Sequence, residues 1–113
     1  MGPLKLLIFQ GTPFCNIDCK YCYLPNRSDR SRLAPETVDK TLQKVVREGL
    51  LGPELEVLWH CGEPLTVPIA VYRKYFSIVD SHLNGRTRYS LALQTNVTLL
   101  TDEWCVFLKE WNV

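Results

Sequence analysis

At 113 residues the chain amounts to one domain with room for a single modest core. An apolar fraction of 46%, a charged fraction of 22% and a formal net charge of +1 are ordinary for a globular protein and argue against nucleic acid or a membrane surface as partner. The opening "MGPLKLLIFQG" carries an apolar run broken by Lys5, too short for a signal-peptide core or a membrane span, so the expected compartment is the cytoplasm, where a close group of cysteines reads as metal-binding or catalytic rather than disulfide-bonded.

In chain order, "LKLLIF" (Leu4–Phe9), bounded by Pro3 and Gly11, predicts a buried parallel strand. After a long loop, residues 35–48 place Val38, Leu42, Val45 and Val46 at helical spacing, with Pro35 at the first position and Gly49 past the end. "ELEVLWH" (Glu54–His60) reads as a second strand. Residues 68–83 read as a second helix whose Tyr72, Tyr75, Phe76, Val79 and Leu83 share one face and which Asn84-Gly85 stops. "RYSLALQTN" (Arg88–Asn96) predicts a third strand. Thr101 suits the N-cap of a third helix with Asp102 and Glu103 in its first turn and Trp104, Phe107, Leu108 and Trp111 on its apolar stripe.

Three consecutive βα units imply an α/β fold with a parallel sheet and helices packed outside it. Three units do not complete such a sheet, and in a barrel the inward face would stand open to solvent. Residues 1–113 are therefore expected to be the N-terminal part of a larger (β/α) barrel core, with the barrel incomplete.

In these architectures chemistry gathers at the C-terminal ends of the strands, and the unusual residues fall there. After strand one comes "FCNIDCKYCY" with Cys15, Cys19 and Cys22 in a CxxxCxxC array; after strand two comes "HCGEPL"; strand three ends in "QTN". Three thiolates this close suit an iron-sulfur cluster. A tetrahedral zinc site is the competing reading and would recruit His60, Cys61 or Cys105 as fourth ligand. A three-cysteine [4Fe-4S] cluster instead leaves one iron open to a reactant.

The CxxxCxxC array with Tyr21 before its last cysteine, followed by "CGEP" and "QTN" on the same predicted rim, resembles the radical S-adenosylmethionine (SAM) superfamily. "QGTPFCNIDCKYCYLPNR", "WHCGEPL" and "QTNVTLLTDEW" resemble its peptide- and protein-modifying branch, the sulfatase maturases and peptide maturases with a C-terminal SPASM region, most of all the cyclophane-forming peptide maturases. The resemblance implies the first half of a partial TIM barrel, without the SPASM region. It implies a [4Fe-4S] cluster on Cys15, Cys19 and Cys22, and SAM held by Gly62, Glu63 and Pro64 with Tyr21 near the adenine.

Cys61 stands where the superfamily usually carries Gly or another small residue; as a fourth cluster ligand it would block the position SAM takes. Gln94 and Asn96 could bond substrate or cofactor, or tie their loop. His60 reads as a strand-end histidine with a satisfied hydrogen bond, Cys105 as inert core, and the run 26–32, "NRSDRSR", as a solvated loop.

The implied activity is reductive cleavage of SAM to a 5′-deoxyadenosyl radical, which abstracts hydrogen from a peptide or protein side chain. The implied partners are that peptide and a reductant protein such as a flavodoxin or ferredoxin. The chain alone is expected to turn over weakly or not at all. The alternative of another class is a non-catalytic zinc- or iron-sulfur-binding module.

Overall fold

The computed structural model describes residues 3–16 and 28–113. Among them a three-stranded parallel sheet runs in the order β1 (Leu4–Phe9), β2 (Leu51–Trp59), β3 (Arg88–Leu93). The helices α1 (Pro35–Arg47), α2 (Ile69–Leu83) and α3 (Asp102–Glu110) follow them in turn. This is the expected α/β fold.

Alternation along the strands decides which face is covered. Leu55, Val57 and Trp59 of β2, Phe9 of β1 and Leu91 of β3 are buried in one core with Val38 and Leu42 of α1, Tyr72, Tyr75, Phe76, Val79 and Leu83 of α2, and Trp104 and Phe107 of α3. On the opposite face the register lines up Ile8, Leu58 and Ala92 in one row and Leu6, Glu56 and Ser90 in the next. Leu6 and Ile8 are 47% and 49% exposed. That face carries no helix among the described residues.

The second strand begins three residues earlier than Glu54. Leu4 pairs with Leu51 and Leu6 with Glu56, so the stretch around Pro53 bulges out of register, which accommodates a residue that has no N–H for the ladder. The third strand ends at Leu93 rather than Asn96, although the Gln94 N–H still donates to the Trp59 carbonyl at 3.0 Å. Cys105 is exposed rather than in the core, because it falls one residue past Trp104 on α3 and so off the buried stripe.

Trp59, the last residue of the central strand, has no exposed surface. Its ring lies 5.3 Å from Phe9 and 5.3 Å from Phe76, stacks on Tyr75 at 5.9 Å and meets Tyr72 edge-on at 6.1 Å. Removing such a side chain costs about 3–5 kcal/mol. This aromatic cluster is the floor on which the next residues, His60 to Glu63, are set.

Candidate cofactor-binding site at the strand ends

The cysteine loop is pinned at its foot. Leaving β1, the chain passes Gly11, whose carbonyl accepts the Leu33 N–H at 2.8 Å, so the segment between them leaves and returns at one point on the rim. Thr12 is buried, and its Oγ1 accepts the Phe14 N–H at 3.2 Å, a local turn of the kind hydroxyl side chains make. Cys15 follows, half-buried with a free thiol. The Arg30 guanidinium sits 4.1 Å above the Phe14 ring, a cation–π contact. Cys19 and Cys22, with Tyr21 and Tyr23, lie outside the described residues.

The loop after β2 packs directly on this foot. The Glu63 N–H donates to the Phe14 carbonyl at 2.7 Å. Gly62 has φ +63°, and a Cβ there would stand 2.3 Å from the Thr12 carbonyl oxygen and 2.7 Å from that of Phe14, so only glycine fits. The backbone that Gly62 approaches is that of the chain's own cysteine loop. Cys61, half-buried, also has a positive φ, +75°, an unfavourable conformation for a residue with a Cβ. Its N–H donates to His60 Nδ1 at 2.8 Å, which gives His60 the satisfied hydrogen bond expected of it. Among the described residues no three His, Cys, Asp or Glu side chains are grouped closely enough to hold a metal ion.

Pro64 opens a single 3₁₀ turn, Pro64–Thr66. Its carbonyl accepts the Tyr72 hydroxyl at 2.9 Å, tying the turn to α2. Desolvation in the core, with smaller contributions from Tyr75 and Glu63, pushes the Tyr72 hydroxyl far above the usual tyrosine range.

Glu63 is 1% exposed, and its carboxylate is the hub of the rim. Oε2 accepts the Leu65 N–H at 2.7 Å, Oε1 accepts the Asn96 N–H at 2.7 Å, and Thr95 Oγ1 lies 2.8 Å from Oε1 and 2.7 Å from Oε2. Among the described residues these three are its donors, and they leave one of the roughly four acceptor positions of a carboxylate open. No basic side chain among the described residues pairs with it.

The loop after β3 completes the arrangement. Asn96 Nδ2 donates to Asn16 Oδ1 at 3.0 Å, Asn16 Nδ2 donates to Thr98 Oγ1 at 2.7 Å, and Asn96 Oδ1 accepts the Thr98 N–H and hydroxyl at 3.0 and 2.8 Å. The Asn96 side chain therefore ties this loop to the residue after Cys15. Gln94 is exposed, on the uncovered face, and its side-chain amide makes no hydrogen bond among the described residues. Sequence reasoning missed Thr95, Asn16 and Thr98. The local signal was the Asn-x-Thr turn at 96–98, but their roles depend on loops that meet only in the fold.

The sequence model of the radical SAM superfamily matches residues 9–113. The chain belongs to the radical SAM superfamily. Within its curated membership, the serine-type anaerobic sulfatase-maturating enzyme of Bacteroides thetaiotaomicron is 35% identical over 115 residues, covering 97% of this chain and 28% of that protein. Two solved structures superpose with a TM-score of 0.79 over 96% of this chain. One is native anSMEcpe with bound AdoMet and the Kp18Cys peptide, at 26% identity over 29% of that chain. The other is native anSMEcpe with bound AdoMet, at 25% identity over 30% of that chain. The chain thus spans under a third of the length of these radical SAM proteins.

Proposed function

We propose that the chain binds a [4Fe-4S] cluster through Cys15, Cys19 and Cys22 and SAM beside it, and that the site serves modification of a peptide or protein side chain. The observation that carries this reading is Glu63. A carboxylate buried to this depth calls for a cationic partner, none is present among the described residues, and one of its acceptor positions has no donor among them. The ammonium of the SAM methionine moiety has the charge and the donors to occupy it.

Each residue then has a task. Cys15, Cys19 and Cys22 hold the cluster, and Gly62 lets the loop after β2 sit against that segment. Glu63 orients the amino group, Pro64 fixes the turn that presents Glu63, and Tyr21 lies by the adenine. Gln94 is the rim side chain available to substrate or cofactor, whereas Asn96 holds the loops together. Bound here, cluster and SAM would supply the one-electron chemistry that yields a 5′-deoxyadenosyl radical. The peptide substrate rests on the sulfatase-maturating relatives and on the peptide-bound structure, and a small reductant protein would deliver the electron.

Anaerobic reconstitution of the chain with iron and sulfide tests this reading. Four irons per chain, iron-sulfur absorption and an electron paramagnetic resonance signal that changes on adding SAM are expected, with cluster lost in Cys15→Ala. Stoichiometric zinc kept through reconstitution, and lost on Cys61→Ala or His60→Ala, would refute it.

A further inference from the structure

We infer that Thr95 is a positioning residue that aims the Glu63 carboxylate at the SAM amino group; this rests on the function proposed above. Glu63 has three side-chain torsions to fix, and a long flexible side chain loses much rotamer freedom when it is held in one orientation. The donors that hold it are the Leu65 and Asn96 backbone N–H groups and the Thr95 hydroxyl. Among the described residues only the last is a side chain.

The hydroxyl is itself held. Thr95 Oγ1 accepts the Val97 N–H at 3.1 Å while it stands within 2.8 Å of both carboxylate oxygens, so its proton is directed to Glu63 and not to its own loop. Branching at Cβ restricts the rotation that sets this direction. Val97 has φ +58°, a conformation costly for a β-branched residue, so the loop is bent to bring Thr95 Oγ1 and the Asn96 N–H under one carboxylate. With its three donors on the protein side, the carboxylate keeps a fixed orientation for its fourth.

The test measures SAM affinity of the reconstituted chain by equilibrium dialysis, beside iron content and circular dichroism, for wild type, Thr95→Val, Thr95→Ala and Thr95→Ser. Losing a hydrogen bond to a charged group is expected to weaken SAM binding about tenfold or more in Thr95→Val. Thr95→Ser should stay within about threefold of wild type, and cluster content should be unchanged in all. If Thr95→Val does not fold, Thr95→Ala against Thr95→Ser gives the same comparison.

Equal affinity in all variants would overturn the inference, as would a loss of affinity that Ser does not rescue or that follows loss of cluster. Tighter binding without the hydroxyl would overturn it too, since the hydroxyl would then be competing with the ammonium. A wild-type chain that carries cluster but binds no SAM would instead refute the function proposed above, and the role of Thr95 with it.

Discussion

Two adjacent residues, Cys61 and Gly62, both have positive φ, and the structure treats them differently. At Gly62 a Cβ would collide with two backbone carbonyls that cannot move without unseating the cysteine loop. Gly62→Ala should therefore cost about 3 kcal/mol or more and abolish cluster loading, as thermal melts and iron content would show. At Cys61 the left-handed conformation itself is the cost, so Cys61→Gly should leave cluster content unchanged and raise stability by up to about 1 kcal/mol. Loss of cluster in that variant would make Cys61 a ligand. "CGEP" stood out in the sequence as a motif after the second strand, but nothing there said that Gly62 answers to the Thr12 and Phe14 carbonyls. That depends on β1 lying beside β2, which no local pattern encodes.

Among the elements, α2 does most to hold the site's floor. Tyr72 sits on its buried stripe and reaches the 3₁₀ turn through the Pro64 carbonyl, which also accepts the Val67 N–H. Tyr72→Phe should cost about 1 kcal/mol. The phenol stays neutral in the fold well above its ordinary range near 10. Its stabilising contribution is therefore complete below that pH and is lost as pH rises, by about 1.4 kcal/mol per unit. Denaturant titrations from pH 9 upward should show a flatter alkaline decline in Tyr72→Phe than in wild type; identical slopes would mean that the phenol is hydrated in the fold. The helical stripes were legible because a 3.6-residue period and the stops at Gly49 and Asn84-Gly85 are local signals. The 3₁₀ turn and the early start of β2 were not. The first is one turn long, and the second runs through Pro53, which reads as a break.

For the molecule as a whole, strand order decides what the rim can do. β2 is central, so its loop is the one placed to touch both others, through Phe14 on one side and through Thr95 and Asn96 on the other. The α/β class, the parallel order and the convergence of three loops followed from the repeated βα rhythm. The hydrogen-bonded lattice joining those loops did not, since its members are ordinary polar residues whose partners lie far off in sequence. Those separations bear on the order of assembly. Glu63 and Thr95 are 32 residues apart, and Asn16 and Thr98 are 82 apart, so these contacts close only after all three units have docked. The foot of the cysteine loop is seated only when the second unit brings up Gly62 and Glu63, and the carboxylate hub exists only once the third strand has joined. The rim would thus be completed from the first loop towards the third, and pulse-labelled hydrogen exchange should find the Asn96 N–H among the last amides to become protected.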